Sequence, residues 1–204
     1  MIDLYAAGTS NGMRARIALE ECGLAYTLHP INIQKGEQKA PQFLAMNPNG
    51  QIPVIVDREG PGGKPVTLSQ SSAILVYAGE KSGKHMPKNA ADRPAFWQAL
   101  MSASTDMTPT IGALFACNGA KEKHEPSVAM FKDRWKQYLK VWDDLLGTRK
   151  YAAGNEVTLA DFSLYAGYYR LNGAMPELNA GVPNVERWAK EIGARPATVR
   201  ALKF

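Results

Sequence analysis

The chain has 204 residues, of which 45% are hydrophobic, so it is long enough for two small domains and too apolar to be globally disordered. Lys and Arg outnumber Asp and Glu by 24 to 19, which gives a net charge of +5. The basic residues form no dense run, so the charge argues against nucleic-acid binding and suits mild attraction of small anions.

Only two cysteines are present, Cys22 and Cys117, and they lie far apart in the sequence. Together with the lack of any metal-ligand spacing, this excludes a disulfide framework and argues against a metal site. The first residues have neither the basic nor the apolar part of a secretory signal. No apolar run approaches the roughly 18 residues of a membrane span. We therefore expect a cytoplasmic protein.

The first part of the chain predicts a mixture of strands and helices in the order β-α-β-α-β-β-α. The elements are a strand at 2–6, a helix ending at Gly23, a strand at 26–33 broken by Pro30, a helix at 41–46, a strand at 52–56, a strand at 66–68 and a helix capped by Ser69. On the first helix, apolar residues recur at helical spacing. We therefore expect Arg14, Arg16 and the pair Glu20-Glu21 to face mostly outward.

The rest of the chain predicts helices alone. Residues 1–83 form the first predicted domain, 84–92 a polar linker, and 93–204 an all-helical domain. Helices are expected at 93–117 with a kink at Pro109, at 126–146, from 157–161 onward, and at 183–192. Thr158 and Asp161 have the spacing of a capping box, and loss of Asp161 is expected to cost roughly 1 kcal/mol of stability.

Thr9-Ser10-Asn11 lies where the first strand gives way to the first helix. Its hydroxyl and amide groups, with the positive end of a helix, favour an anion such as a thiolate. A free thiol has a pKa of roughly 8.5, and lowering it by about two units takes roughly 2.7 kcal/mol. One donor to a charged acceptor supplies roughly 1.5–3 kcal/mol. The alternative is that Thr9 and Ser10 only cap the helix and Asn11 makes a turn.

Two more short pieces follow in the first half. Ile52-Pro53 precedes the third strand, and a cis bond there would turn the backbone of Ile52 outward, although a proline at a strand start is also common. Gln70-Ser71 opens a helix, where free backbone N–H groups, a hydroxyl and the helix dipole suit a carboxylate, unless it is an ordinary first turn. The three pieces together outline a site for a small anionic thiol.

These residues resemble a known family. The β-α-β-α-β-β-α unit with an Ile-Pro before its third strand resembles a thioredoxin-type domain. Adding an all-helical half with Thr158-Leu159-Ala160-Asp161 makes nearly the whole chain similar to the cytosolic glutathione S-transferases. Residues 4–12 and Gly36-Glu37-Gln38 are most similar to the bacterial Nu class, several members of which reduce disulfides with glutathione. The resemblance implies an α/β thioredoxin-like domain followed by an all-α domain, and a homodimer acting in detoxification.

The resemblance also implies glutathione as co-substrate, with no metal. Thioredoxin-like redox proteins carry a Cys-x-x-Cys pair at the first turn. This chain has none, so the reactive sulfur is expected to come from glutathione. Asn11 is favoured as its contact, with Thr9 beside it and Ser10 where other classes place a catalytic Ser or Cys. The expected glutathione contacts are Ile52 and Pro53 for the cysteinyl backbone, Gln70 and Ser71 for the γ-glutamyl end, and Gln51, Lys35 and Gln38 for the glycyl end.

One further contact is expected from the helical domain, because Nu-class proteins add an arginine there. Met130 stands at the corresponding position in this chain, and Arg134 follows one turn later as the candidate. The implied activity is that of a glutathione transferase whose thiolate attacks an electrophile or a disulfide. The alternative is a non-catalytic binding or stress-regulatory protein with the same fold. The presence of all three short pieces favours the enzyme.

Overall fold

The computed structural model describes residues 1–204, which form two compact units. The first unit contains Met1–Met86 together with Arg195–Phe204, and the second contains Pro87–Ala194. All four strands belong to the first unit, and the second is helical. None of the helices combines the length and the apolar character needed to cross a membrane.

The first unit contains the predicted order of strands and helices. Its elements are β1 Ile2–Ala6, α1 Ser10–Cys22, β2 Tyr26–Pro30, α2 Pro41–Leu44, β3 Val54–Asp57, β4 Val66–Ser69 and α3 Ser71–Ser82. The strands form one mixed sheet in the order β2-β1-β3-β4. β1 pairs parallel with β2 and antiparallel with β3, which pairs antiparallel with β4. Gly23 ends α1 in the left-handed conformation, as predicted.

The core of the first unit lies between the central strands and the helices. Leu4 of β1 and Ile55 of β3 are fully buried, as are Ile17 of α1 and Ile74 of α3. α1 and α3 pack against each other, so the core includes the interface between these two helices. This packing sets the position of the two helix N-termini, which carry two of the three short pieces.

The predicted end of β2 and the predicted cap of α3 were wrong, and Glu21, which was expected to face outward, is buried. β2 ends at Pro30 rather than continuing to residue 33, because its only partner, β1, ends at Ala6 opposite Pro30. Ser69 does not cap α3 but pairs with Val54 as the last residue of β4. The N-cap position therefore falls to Gln70, whose side chain makes no capping hydrogen bond.

The second unit has helices close to the predicted ones. They are α4 Arg93–Met101, α5 Thr108–Asn118, α6 Glu125–Thr148, α7 Leu159–Asn172 and α8 Pro183–Gly193. The predicted helix at 93–117 is interrupted by a π-helical turn over Ser102–Met107, just before Pro109. Proline has no N–H for the helical ladder, which explains the break at this point. Phe96, Leu100, Trp135 and Phe162 form part of the core of this unit and are fully buried.

The C-terminal segment was not predicted as a helix, yet residues Pro196–Ala201 form α9. This helix packs against α1 within the first unit. The division into units therefore differs from the predicted helical domain at 93–204, because residues 195–204 return to the first unit. The contact is polar as well as apolar: the buried carboxylate of Glu21 accepts hydrogen bonds from Arg195 and Thr198.

Candidate active site

The first of the three pieces forms the N-terminal turn of α1. Thr9 is the N-cap in extended conformation, and its Oγ1 accepts a hydrogen bond of 3.2 Å from the N–H of Gly12. Ser10 is the first helical residue. Gly12 allows the turn to approach β1 closely, since a Cβ built there would lie 2.0 Å from the carbonyl oxygen of Ala7. The capping role predicted as an alternative for Thr9 is thus present.

Asn11 and Ser71 meet at a buried arginine. Nη1 of Arg14 donates to Oδ1 of Asn11 at 2.6 Å and to Oγ of Ser71 at 2.9 Å. Oγ of Ser71 lies 3.3 Å from Oδ1 of Asn11, within hydrogen-bond distance. The two predicted site residues, separated by 60 positions in the sequence, are therefore neighbours at the N-terminal ends of α1 and α3.

Arg14 is the main residue of this site that the sequence analysis missed. It was expected to face outward, but only 1% of its surface is exposed. Burial lowers the pKa of Arg14 to about 10, which leaves the guanidinium charged at neutral pH. The prediction failed because α1 is buried on almost all sides, so the spacing of apolar residues does not separate an inner from an outer face. No signal in the sequence reveals that Arg14 is buried, because its contacts with Asn11 and Ser71 exist only in the folded chain.

Gln70 precedes α3 in an unusual backbone conformation, with φ 73° and ψ 111°. A residue other than glycine in such a region costs of order 1–3 kcal/mol, and such strain clusters at ligand-binding sites. The side chain of Gln70 is exposed, while that of Ser71, the first residue of α3, is buried. The pair thus presents an exposed amide beside a hydroxyl and the free N–H groups of a helix N-terminus.

The second piece lies just before β3. The Ile52–Pro53 bond is cis, as predicted. Pro53 is buried, Ile52 is half-buried and Gln51 is exposed, and the carbonyl of Gln51 accepts a hydrogen bond of 2.7 Å from Nδ2 of Asn47. The role of these residues in holding a peptide ligand stays a prediction.

The remaining candidates are two loop residues of the first unit and one residue of α6. Lys35 is exposed, and its backbone N–H donates to Oδ1 of Asn32 at 3.0 Å. Gln38 is half-buried and turns toward its own loop, where Nε2 donates to the carbonyl of Ile33 at 3.3 Å. Arg134 lies in the second unit on α6, exposed, with its guanidinium 6.0 Å from the ring of Phe131. Ligand contacts by all three stay predictions.

Neither cysteine belongs to the turn at Thr9. Cys22 is at the opposite end of α1, buried, and burial raises the pKa of its thiol. Cys117 is near the end of α5 in the second unit. Tyr5 is a strand residue, and its ring stacks on His29 with 4.6 Å between ring centroids. No three His, Cys, Asp or Glu side chains are grouped so that they could hold a metal ion.

Known proteins with this arrangement identify the family. The family model for the glutathione S-transferase N-terminal domain matches residues 10–81, and the model for the C-terminal domain matches residues 105–201. The chain is 32% identical over 204 residues to the disulfide-bond oxidoreductase YfcG of Escherichia coli (strain K12), covering 99% of this chain and 94% of that protein. The chain belongs to the glutathione S-transferase family.

Solved structures of other glutathione transferases support the same conclusion. A family member from Pseudomonas fluorescens with two glutathione bound superposes with a TM-score of 0.93 and 33% identity, covering 99% of this chain and 92% of that one. A glutathione transferase from Pseudomonas putida with one glutathione disulfide bound per subunit has a TM-score of 0.93 and 31% identity, covering 100% and 91% of the two chains. The predicted fold, a thioredoxin-like domain with a helical domain, is confirmed.

Proposed function

We propose that this glutathione S-transferase binds glutathione in its first unit and ionises the thiol for nucleophilic attack. The observation that carries the proposal is the joining of Asn11 and Ser71 by the buried Arg14. A helix N-terminus with a donor at Asn11 suits a thiolate. A second N-terminus at Ser71, with a hydroxyl, suits the γ-glutamyl carboxylate. Two anionic groups of one small ligand, the cysteinyl thiolate and the γ-glutamyl carboxylate, are thereby held from adjacent helices.

The remaining proposed contacts are those that the resemblance to the glutathione S-transferases implies. The backbone of Ile52, turned by Pro53, pairs with the cysteinyl residue of glutathione, and Gln70 contacts the γ-glutamyl ammonium. Gln51, Lys35 and Gln38 contact the glycyl end, while Thr9 and Ser10 complete the turn around the sulfur. Arg134 stays the candidate for one further ligand contact.

The thiolate attacks either an electrophilic carbon, displacing its leaving group, or one sulfur of a disulfide. In the second case the first glutathione forms a mixed disulfide and releases a thiolate. A second glutathione then attacks the mixed disulfide, which yields oxidised glutathione and a second released thiol. The relative named as a disulfide-bond oxidoreductase, and the related structures holding two glutathione or one glutathione disulfide, support the reductase version.

The cellular setting is part of the proposal. We propose a bacterial, cytoplasmic homodimer that acts in detoxification, in keeping with the relatives from Escherichia coli and Pseudomonas. Sedimentation velocity of the purified chain tests the dimer: a single species at the monomer mass over the working concentration range would contradict it.

The function is tested by retention on immobilised glutathione, followed by turnover assays with a simple aryl halide and with a small organic disulfide. We expect retention and faster turnover with the disulfide. Retention without turnover of either substrate would favour a non-catalytic binding protein. A protein that is not retained, and that shows no heat of binding when titrated with free glutathione, would overturn the proposal.

A further inference from the structure

The guanidinium of Arg14 is a buried cation, and the chemistry described so far gives it no role of its own. It lies between the N-terminal ends of α1 and α3, where Nη1 donates to Asn11 and to Ser71. Only 1% of the surface of Arg14 is exposed. Burying an ionised side chain is costly unless it is hydrogen-bonded and its charge is compensated. Asn11 and Ser71, which Arg14 contacts, are the two residues proposed to bind the anionic parts of glutathione.

A guanidinium can only donate hydrogen bonds, and this decides the orientation of the Asn11 amide. The Asn11 atom that faces Arg14 at 2.6 Å must be the acceptor, Oδ1. The amide nitrogen Nδ2, which carries two hydrogens, is then turned away from Arg14. Asn11 therefore offers a donor to a ligand, and a donor is what a thiolate needs. With the amide reversed, Oδ1 would face the thiolate and repel it.

Arg14 also orients the hydroxyl of Ser71. Oγ accepts from Nη1 of Arg14 at 2.9 Å, so the single hydroxyl hydrogen must point elsewhere. Within the chain its acceptor is Oδ1 of Asn11 at 3.3 Å, a long hydrogen bond. A carboxylate at the N-terminus of α3 is a stronger acceptor, because charge-assisted hydrogen bonds are shorter and stronger than neutral ones. The hydroxyl is thereby kept as a donor to an anion.

We infer that Arg14 is a positioning residue that sets both anion-binding groups as donors, Asn11 toward the thiolate and Ser71 toward the γ-glutamyl carboxylate. The inference rests on the proposed glutathione binding and names what makes that site selective for an ionised ligand. Arg14 touches neither anion itself but acts through the two side chains, and its buried positive charge adds attraction for both.

The experiment measures the pKa of the thiol of bound glutathione, from the ultraviolet absorbance of the thiolate as a function of pH. Arg14→Met keeps much of the side-chain length but removes the charge and the donors. We expect it to raise the pKa of the bound thiol by about one unit, equivalent to a tenfold smaller ionisation constant, and to weaken glutathione binding. A folded Arg14→Met protein whose bound thiol has the parent pKa would overturn the inference.

Two more variants keep the test decisive if Arg14→Met folds poorly. Asn11→Asp can still accept from Arg14 but has no N–H for the thiolate, so the pKa of the bound thiol should rise above the parent value. An unchanged pKa in Asn11→Asp would show that the amide nitrogen does not face the sulfur. Arg14→Lys keeps the charge and should give a thiol pKa between those of the parent and Arg14→Met. A Lys variant no different from Arg14→Met would also contradict the inference.

Arg16→Met is the matched control. Arg16 lies on the same helix, but its Nε donates to the hydroxyl of Tyr26 at 2.7 Å and its Nη1 to the carbonyl of Lys203, away from Asn11 and Ser71. We expect this variant to leave the pKa of the bound thiol unchanged. Glutathione binding and the thiol pKa of the parent protein distinguish a failure of the proposed function from a failure of the role of Arg14. If it binds glutathione with a lowered thiol pKa, only the role of Arg14 is at stake, and if it binds none, the proposed function fails as well.

Discussion

In the proposed site, the donor hydrogen bond of Asn11 accounts for most of the ionisation of the bound thiol. Lowering the pKa of the thiol by about two units takes roughly 2.7 kcal/mol. One hydrogen bond to a charged acceptor supplies roughly 1.5–3 kcal/mol, and a helix N-terminus roughly 0.3–1 kcal/mol. Asn11 and the end of α1 are therefore sufficient, and the hydroxyl oxygen of Thr9, which accepts the N–H of Gly12, is free to serve as the helix cap.

Asn11→Ala should lower turnover with glutathione at least about tenfold, because the lost donor is worth at least one pKa unit of thiol ionisation. The change is measured as kcat/KM for an aryl halide and for a disulfide, with thermal unfolding recorded in parallel. Asn89→Ala, which removes an exposed asparagine in the second unit, serves as the control. Parent-like turnover in Asn11→Ala would exclude this residue as the thiolate donor.

Ser71→Ala should weaken glutathione binding by about 1–3 kcal/mol, since the carboxylate loses its hydroxyl donor in a buried position. Isothermal titration calorimetry with reduced glutathione gives the dissociation constant. Ser82→Ala, at the other end of the same helix, is the matched control, because its hydroxyl contacts the carbonyls of Ala78 and Gly79 and the N–H of Lys84, away from the proposed site. Equal affinities of Ser71→Ala and the parent would remove Ser71 from the binding site.

Gln70→Gly should stabilise the fold while weakening the binding of glutathione. Glycine relieves a backbone strain of about 1–3 kcal/mol at φ 73°. Glycine also makes the unfolded chain more flexible, which lowers the stability of the folded state by only about 0.4–1 kcal/mol. Chemical denaturation and calorimetry measure the two effects on one sample. A glycine variant less stable than the parent would show that the side chain of Gln70 contributes more to folding than its backbone costs.

At the start of α7, a residue of a local capping motif also makes tertiary contacts. Thr158 and Asp161 form the predicted capping box. The carboxylate of Asp161, which is fully buried, also accepts hydrogen bonds from the N–H of Ala152 at 2.7 Å and from Nε1 of Trp188 at 2.9 Å. One side chain thus connects the start of α7 with the turn before it and with α8.

Asp161→Ala should therefore cost about 3 kcal/mol or more. The cap alone accounts for roughly 1 kcal/mol, and each buried donor left without its acceptor adds roughly 1–3 kcal/mol. Denaturant unfolding measures the loss, with Asp144→Ala as control, because that carboxylate is exposed on α6 and pairs only with Lys140. A loss near 1 kcal/mol would mean that capping is the whole contribution of Asp161.

At the scale of the whole chain, a polar contact within the first unit joins segments that are far apart in the sequence. Glu21 of α1 accepts hydrogen bonds from Arg195, which is 174 positions away, and from Thr198 of α9. Burial opposes ionisation of Glu21, but the hydrogen bonds from Arg195 and Thr198 and the positive charge of Arg195 outweigh it. Together they hold the pKa of this carboxyl below its ordinary value.

This shift predicts how acid affects stability. Because the pKa of Glu21 is lower in the folded chain, its carboxylate stabilises the fold above the unfolded value of about 4.3. That contribution is lost as the pH falls through the lower folded value. Breaking a buried ion pair costs roughly 3–5 kcal/mol, and we expect the lower end here, because the Arg195 side chain is 33% exposed.

Glu21→Gln tests this expectation through the unfolding free energy at several pH values from neutral to acid. The variant should be less stable than the parent at neutral pH, and the difference should shrink as the pH falls below about 4. Glu20→Gln is the matched neighbour, because Glu20 pairs with Arg200 at a more exposed position. A stability difference that does not change with pH would contradict the ionised pairing of Glu21.

Much of the fold could be predicted because its signals are local. Alternation in 2–6, the glycine that ends α1 and the capping box of α7 each depend on residues within a few positions of one another. Predictions failed where a distant segment decided the outcome. β2 ends where β1 ends, and Ser69 joins β4 because Val54 lies opposite.

The sequence by itself determined most of the order of elements and the three short pieces of the candidate site, because caps, turns and apolar spacing act over single turns. The family was inferred from the resemblance of those pieces to known proteins. Only the tertiary structure decided that Arg14 is buried, that Asn11 and Ser71 meet at it, and that α9 returns to α1. The reason is physical: a polar side chain enters the interior only where distant elements supply its hydrogen-bond partners. Neither the burial of a helix face nor those partners can be deduced from the helix alone.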